Sequence, residues 1–269
     1  MKQNSIKALS IQIRLSGLSF CILNRTTATI ELLKHVNLEK KVTPFEVLNE
    51  LKTSIESLPD FKQKFETVTC IYQNELSCLV PKDIFDENNL ADYLKFNAKI
   101  LKNDYISYDT LSINDSVNVY VPLVNINNYV FDTFGTFEYK HSSTVLIETL
   151  LGLSSKFSED KLYINVNTST FELVFIKQQQ LILYNSFEYT TKEDFIYYIL
   201  FTLEQLKLSP ETIKTVLTGE IENNDELYSI LYKYIRFVDF VFADHKYTIP
   251  EEMVQNSKHN DFILLNSFN

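Results

Sequence analysis

The chain has 269 residues, 45% of them hydrophobic and 13% aromatic, so it is long enough to bury one large core or two moderate ones. Its 35 acidic residues outnumber 25 basic ones and give a formal charge of -10 without a lysine or arginine cluster, which argues against nucleic-acid binding. No segment reaches the ~18–20 apolar residues of a membrane helix, and the N-terminus lacks the apolar segment of a signal peptide. We therefore predict a cytoplasmic protein without a membrane span.

The three cysteines, Cys21, Cys70 and Cys78, each lie inside an apolar run. An odd number without CxxC spacing argues against a disulfide framework or a zinc site and favours buried, reduced thiols. Only four glycines are present, whereas average usage of ~7% corresponds to about nineteen. Because glycine builds the loops that hold phosphate groups, this scarcity bears on function.

The first half of the chain is predicted to alternate between strands and helices. Apolar and polar residues alternate over short segments, which is typical of half-buried strands. A capping box at residues 43–46, with Pro44 in the first helical position, begins a helix that ends at Pro59. The predicted strands cover residues 8–15, 16–24, 28–38, 65–73, 76–81, 104–113, 117–124 and 136–141. The further predicted helices cover residues 89–101, 125–134 (stopped by Gly135) and 144–151 (capped by Ser142 or Ser143 and ended by Gly152).

The segment at residues 154–160, SSKFSED, interrupts this pattern and is the best candidate for a linker. We predict two domains, residues 1–155 and 156–269. Three strands across residues 161–187 open the second half, and a polar turn at residues 167–170 joins the first two. The later predicted elements are a helix after a capping box at residues 190–193, a strand at 212–220, a helix from residue 224 or 225, a strand at 235–243 and a helical stretch at 249–268 that packs back on the body.

Both halves therefore have the order βββαβαβ. Their openings superimpose without a gap at an offset of about 153 residues, as an internal duplication predicts. The matched residues are Leu9, Ile11, Ile13, Ser16, Phe20 and Ile22 against Leu162, Ile164, Val166, Ser169, Leu173 and Phe175. Apolar strand positions coincide easily, so the repeated order of elements is the stronger observation.

A duplicated unit of this order resembles the ribonuclease-H-like, actin-like ATPase superfamily, which includes actin, sugar kinases and the Hsp70 chaperones. Among bacterial members the chain is most similar to pilus-assembly and type II secretion proteins with a cytoplasmic actin-like domain. Its layout and the stretches FEYKHSSTVLIETLL and VLTGEI resemble the DUF3822 family of Bacteroidetes over essentially the full length. The resemblance implies an α/β fold with two mixed five-stranded sheets flanked by helices.

The superfamily holds a nucleotide between its halves, and the resemblance locates its first phosphate loop at the first hairpin. An Asp there organises Mg²⁺ and water, and a Gly lets backbone N–H groups approach phosphate oxygens. The matching residues in this chain are Gln12 and Arg14. Glutamine lacks the carboxylate charge, and the arginine fills space meant for phosphate. Only Ser16 and Gly17 remain of this loop.

The second phosphate loop matches the hairpin at residues 165–170, where Asn165 and Asn167 stand in the positions of the acid and the glycine. The adenosine loop, which is usually rich in glycine, resembles residues 217–220. Residues that could still contact a nucleotide in these two loops are Asn167, Thr168, Ser169, Thr170 and Gly219.

With both acids and most glycines replaced, the resemblance implies a chain that does not hydrolyse ATP efficiently, because phosphoryl transfer depends on positioning and charge stabilisation. We predict a non-catalytic binding or scaffolding protein, without a cofactor, whose cleft holds an unidentified protein partner or its own side chains. The alternative is a nucleotide sensor or an atypical ATPase or kinase, with Ser16, Thr168, Ser169 and Thr170 as phosphate ligands in the same cleft.

The other polar residues do not form a recognisable site. The four histidines show no HxxxH spacing, so surface or capping roles are favoured over metal binding. His141 lies where a strand meets a helix start, a position that often faces a cleft. Asp83, Asp86 and Glu87 are interpreted as a solvated helix start rather than a metal site. Most of the 16 tyrosines and 20 phenylalanines are expected in the core, and some on a partner surface.

Overall fold

The computed structural model describes residues 5–38, 40–96, 99–101, 103–156, 159–241, 246–253 and 259–269, the side chain of residue 252 excepted. The chain divides into two compact units. Unit 1 comprises residues 1–146, 245–255 and 263–269, and unit 2 comprises residues 147–244 and 256–262. The predicted domain boundary between residues 155 and 156 stays a prediction, because compactness does not test which segments fold on their own.

Unit 1 contains a mixed five-stranded sheet and a smaller three-stranded sheet. Its strands are β1 (Lys7–Arg14), β2 (Gly17–Asn24), β3 (Thr29–Asn37), β4 (Thr67–Tyr72), β5 (Ser77–Pro81), β6 (Ser107–Leu111), β7 (Ser116–Tyr120) and β8 (Glu138–His141). The helices that lie or begin in it are α1 (Pro44–Ser57), α2 (Leu90–Leu94), α3 (Val124–Phe134) and α4 (Ser142–Ser154).

The large sheet of unit 1 has the strand order β3-β2-β1-β4-β8. The first three strands are antiparallel neighbours, whereas β1, β4 and β8 run parallel. Alternation along β1 puts Leu9, Ile11 and Ile13 on one face, where they join a buried cluster with Leu51 of α1. Burial of each such side chain stabilises the unit by ~1.5–3 kcal/mol. The opposite face of β1 carries polar side chains, among them Gln12.

Two helix ends of unit 1 follow the sequence signals. The Thr43 hydroxyl accepts a hydrogen bond from the Glu46 N–H, and the Glu46 carboxylate accepts one from the Thr43 N–H, so the predicted capping box is confirmed. Helix α3 ends at Gly135, whose φ of 81° lies in the left-handed region that glycine adopts readily.

The small sheet has the order β5-β7-β6 and packs with α2 around a second apolar cluster. The helix predicted across residues 89–101 is wrong in length, since α2 ends at Leu94 and residues 99–101 are not helical. The physical reason is that Leu94 is the only buried residue of α2, so packing stabilises a single turn. Residues 97 and 98, within the predicted helix, lie outside the described residues.

Unit 2 contains a second mixed five-stranded sheet with the order β11-β10-β9-β12-β13. Its elements are β9 (Lys161–Val166), β10 (Thr170–Lys177), β11 (Gln180–Glu188), α5 (Lys192–Gln205), β12 (Lys214–Gly219), α6 (Glu226–Tyr234) and β13 (Phe237–Phe240). Strands β9 to β11 are antiparallel neighbours, and β9, β12 and β13 are parallel. The duplicated βββαβαβ order and the two five-stranded mixed sheets are thus confirmed, with the small sheet inserted in the first copy.

Two predicted helix ends in this region need correction. The capping box of α5 is one residue later than predicted: Thr191 is the cap, and the carboxylate of Asp194 accepts from the N–H groups of Thr190 and Thr191. Helix α4 does not end at Gly152 but continues to Ser154, because Leu151 and Ser154 are buried on either side of that glycine.

The C-terminal stretch is less helical than predicted. The described part of residues 249–268 contains a 3-10 turn at Glu251–Met253 and the short helix α7 (Phe262–Asn266), while residues 254–258 lie outside the described residues. After α7, the Ser267 hydroxyl donates to the Ser10 hydroxyl at 2.8 Å, on the polar face of β1 in unit 1.

Candidate functional site

The first predicted phosphate loop is the hairpin between β1 and β2 in unit 1. The Gln12 amide, in the position of the metal-organising acid, donates to Oε1 of Gln73 at 2.5 Å. Arg14, the last residue of β1, donates from Nη2 to the Ser19 hydroxyl at 3.5 Å. The carbonyl of Ser16 accepts from the N–H of the residue that follows β3. These groups are therefore engaged with neighbours inside unit 1.

The glycine retained in this loop has a structural explanation. A Cβ atom on Gly17 would overlap the carbonyl oxygen of Val36 on β3. Pairing of β2 with β3 therefore requires glycine at this position, whether or not the hairpin holds a ligand.

The second predicted phosphate loop is the hairpin between β9 and β10 in unit 2. The Asn165 amide donates to Oε2 of Glu172 at 2.6 Å, and the Tyr184 hydroxyl donates to Oε1 of the same carboxylate at 3.2 Å. Burial raises the pKa of Glu172, and hydrogen bonds from Asn165, Tyr184 and Asn167 partly offset that rise. Asn165 thus stabilises a buried carboxylate of its own sheet.

The turn of this hairpin is closed by contacts within unit 2. The Asn167 N–H donates to the Thr170 carbonyl at 2.8 Å, and the Ser169 carbonyl accepts from the Tyr189 N–H at 3.1 Å. The Thr168 hydroxyl donates to Oε2 of Glu220 at 2.8 Å. A carboxylate therefore lies at the turn where the resemblance implies a phosphate group.

The glycine of the predicted adenosine loop is also accounted for by packing. Gly219 has a φ of 84°, and a Cβ atom there would overlap the carbonyl oxygen of Val166 and lie 2.8 Å from Oδ1 of Asn165. Its N–H donates to the carbonyl of His259 at 3.0 Å. The close approach of β12 to β9 therefore requires glycine here. The predicted contacts of these loop residues with a nucleotide stay predictions.

His141, at the junction of β8 and α4, is fully buried in unit 1. Its Nε2 lies 3.1 Å from the Asn74 carbonyl, which can only accept, so Nε2 carries the proton. Its Nδ1 then accepts from the Ser143 hydroxyl at 2.7 Å and the Ser143 N–H at 3.2 Å. Burial lowers the pKa of His141 to about 4. Although a Ser–His pair can supply a nucleophile, this pair is sealed from solvent and holds the start of α4.

Asp109 on β6 completes this network. Its carboxylate accepts from the His141 N–H at 2.8 Å, the Thr144 hydroxyl at 2.7 Å and the Tyr120 hydroxyl at 3.0 Å. Burial raises the pKa of Asp109, and these hydrogen bonds oppose the rise. A carboxylate at a helix N-terminus is favoured by the helix dipole. The network therefore joins the small sheet to α4, and His141 acts as the predicted helix-start residue.

Of the other histidines, His259 differs from the surface or capping role that was predicted. His259 is buried, with Nε2 donating to the Ile221 carbonyl at 2.6 Å and its ring 4.3 Å from that of Phe240. His35 is half-buried, with Nδ1 3.0 Å from the Ser19 hydroxyl. The last histidine, at position 245, lies outside the described residues. Within the described part of the chain, no three His, Cys, Asp or Glu side chains are grouped as a metal site requires.

Asp86 accepts from the Asn88 N–H at the start of a 3-10 turn, which confirms its interpretation as a helix-start residue. The three cysteines carry free thiols; Cys21 and Cys70 are buried and Cys78 is half-buried.

The sequence patterns assigned no partner to the three carboxylates of these networks, Asp109, Glu172 and Glu220. A signal for Glu172 was present, because the tight turn at residues 167–170 puts it directly opposite Asn165 in the hairpin register. Asp109 and Glu220 reach their partners through contacts between separate elements, which no local pattern reveals.

Solved structures share this fold. A Bacteroides thetaiotaomicron VPI-5482 protein with an actin-like ATPase fold and unknown function is 23% identical over 88% of this chain and 91% of its own, with a TM-score of 0.79. A chain of the PilM-PilN type IV pilus biogenesis complex is 13% identical over 96% of both chains, with a TM-score of 0.63. These likenesses confirm the predicted actin-like fold.

Residues 1–238 match the sequence model of the DUF3822 family, which is described as a protein of unknown function. This match confirms the predicted family resemblance. No curated protein matches the chain. Among the described helices, none combines the length and apolar character needed to cross a membrane.

Proposed function

Since the chain belongs to the DUF3822 family and has an actin-like ATPase fold, we propose that it is a non-catalytic cytoplasmic scaffold that binds a protein partner and does not turn over nucleotide. The observation that carries this proposal is the pair of Thr168 and Glu220. The hydroxyl that could donate to a phosphate donates to a carboxylate instead. The negative charge of that carboxylate opposes the approach of a phosphate group.

The amides that replace the metal-organising acids support the same proposal. Each is held by a neighbouring side chain, Gln12 by Gln73 and Asn165 by Glu172. Glu172 is itself buried and accepts hydrogen bonds from side chains of its own sheet, so its charge is not offered to a hydrated Mg²⁺ ion. In each hairpin, the amide that replaces the metal-organising acid is thus bound by a side chain of its own unit.

An exposed aromatic pair on α5 supports the binding role. Tyr197 and Phe201 are 61% and 46% exposed, and their rings stack with centroids 6.1 Å apart. Exposed Glu193 and Glu204 flank them on the same helix face, at spacings of four and three residues. Large aromatic side chains are enriched where proteins meet. This surface fits a partner segment with apolar side chains and lysine or arginine. The PilM-PilN complex shows that one chain of this fold assembles with another protein.

Affinity capture from the source cells tests the proposal. The double variant Tyr197→Ser/Phe201→Ser is expected to reduce recovery of the partner at least about tenfold relative to the unmodified chain. The matched control is Phe96→Ser, which removes an 83% exposed aromatic ring from unit 1 and is expected to leave recovery unchanged. All three chains are expected to unfold at similar temperatures, because the altered side chains are exposed. Equal recovery by the double variant would contradict this binding surface.

A further inference from the structure

Unit 2 contains a cavity of about 360 Å³ on the face of its sheet opposite the apolar cluster of α5 and α6. This volume lies in the range of small-molecule sites. Its lining includes Glu159, Lys161, Tyr163, Lys214, Val216 and Phe237.

The floor of the cavity follows from the strand register. Lys214 pairs with Lys161 of β9 and with Phe237 of β13. These three residues are the first of three neighbouring strands, and their side chains form one row across the sheet. Two residues further on, Tyr163, Val216 and Asp239 form a second row. The rows lie ~7 Å apart along the strands, and neighbouring strands are ~4.8 Å apart. The result is a patch that is charged at one end and mostly apolar beyond it.

The charged end of the cavity, at Lys161 and Lys214, lies at the amino ends of β9 and β12, and neither residues 165–170 nor residues 217–220 line the cavity. The hairpin turn at residues 167–170 and Gly219 lie at the carboxyl ends of β9 and β12, where open α/β sheets hold their usual ligands. The cavity is therefore separate from both predicted nucleotide loops of unit 2. A ligand in this cavity is thus independent of the scaffold function proposed for the chain.

The charges around the cavity favour an anion. Glu159 forms ion pairs with both Lys161, at 3.7 Å, and Lys214. Lys214 and Lys161 hold the pKa of Glu159 below its usual range. Three lysines and two acidic residues line the cavity, so its formal charge is positive within a chain of formal charge -10.

We propose that this cavity binds a small amphipathic acid, a molecule with one anionic group and an apolar aliphatic or aromatic body. The anionic group lies against the ammonium groups of Lys161 and Lys214, which also form ion pairs with Glu159. The apolar body packs on Tyr163, which is buried, and on Val216 and Phe237. A cationic molecule of the same shape meets the lysine pair unfavourably and is rejected.

Titration calorimetry on the unmodified chain tests the proposal with three probes that share one apolar body: 4-phenylbutyrate, 4-phenylbutanol and 4-phenylbutylamine. The acid is expected to bind with a Kd of about 0.1–1 mM. It is expected to bind at least about tenfold more tightly than the alcohol or the amine, and more weakly as salt is added. Absence of saturable binding at about 10 mM acid, or equal binding of the amine, would overturn the proposal.

Variants then locate the site. Val216→Phe fills the cavity and is expected to abolish binding of the acid, and Lys161→Gln/Lys214→Gln is expected to weaken it about tenfold. The matched control Lys62→Gln/Lys64→Gln removes two lysines from a second cavity in unit 1 and is expected to leave binding unchanged. Unchanged binding by Val216→Phe would refute the assignment.

A fluorescent reporter keeps the test decisive if Val216→Phe does not fold. The chain has no tryptophan, so Phe237→Trp, at a 46% exposed position on the cavity, introduces a single tryptophan. Its emission is expected to shift in parallel with the calorimetric saturation by the acid. Emission that stays constant while the acid binds would contradict the location.

Discussion

Lowering the pH from 6.5 to 4 is expected to reduce the free energy of unfolding by about 3 kcal/mol through His141 alone. In the folded chain, burial keeps the ring neutral and lowers the pKa of His141 to about 4, against 6.5 for an exposed histidine. The unfolded state therefore binds the extra proton first. The stability contributed by the neutral ring is complete above pH 6.5 and is lost as the pH falls through that window.

Urea unfolding at a series of pH values measures this effect, and His141→Gln is the matched variant. Glutamine keeps an amide donor for the Asn74 carbonyl and has no ionisation in this range. The variant is expected to show a shallower loss of stability in acid. Asp109, whose raised pKa acts with the opposite sign, is present in both chains, so the difference between them isolates His141. Identical pH profiles for the two chains would show that His141 titrates normally.

Gly219→Ala is expected to lower the free energy of unfolding by about 3 kcal/mol or more. The new Cβ would overlap the Val166 carbonyl oxygen, and the φ of 84° is unfavourable for any residue with a Cβ. Relief of this overlap would require β12 to move away from β9, at the cost of the parallel pairing that places Gly219 beside Val166. Thermal or urea unfolding of the variant measures the effect.

Two other glycines distinguish the cost of the positive φ at Gly219 from the cost of its close packing. Gly135→Ala has a similar φ of 81° without any close atom, so it is expected to cost only about 1–2 kcal/mol. Gly152→Ala lies inside α4 with open space around it, and is expected to stabilise the chain by about 0.5–1 kcal/mol. A loss at Gly219 no larger than that at Gly135 would show that close packing does not explain Gly219.

The strands and their duplication were predictable because each strand buries one face, so that apolar and polar residues alternate along a short segment of sequence. Leu9, Ile11 and Ile13 repeat in kind at Leu162, Ile164 and Val166, and both sets are buried against helices. The cap of α1 was predictable since Thr43 and Glu46 are three residues apart. The length of α2 was not predictable, because its single buried residue, Leu94, is fixed by packing with the small sheet.

The positions of the candidate loops were predictable from the duplication, but their partners were not. Asn165 could be placed at a hairpin, and only the cross-strand register shows that it binds Glu172. Gln73 and Glu220 come from the ends of β4 and β12, and they reach the hairpins through parallel pairing between segments distant in sequence. Such pairing leaves no local pattern in the sequence.

Thermal unfolding of the full chain with and without Mg-ATP, Mg-ADP and Mg-GTP measures whether the two hairpins bind nucleotide phosphates. A ligand that binds the folded state must raise the midpoint. We predict no shift of the midpoint at millimolar nucleotide. The Thr168 hydroxyl already donates to Glu220, and the side-chain amides of Gln12 and Asn165 are hydrogen-bonded to side chains of their own units. A nucleotide-dependent rise in the midpoint that Ser169→Ala abolishes would show that the second hairpin binds nucleotide and would favour a nucleotide sensor.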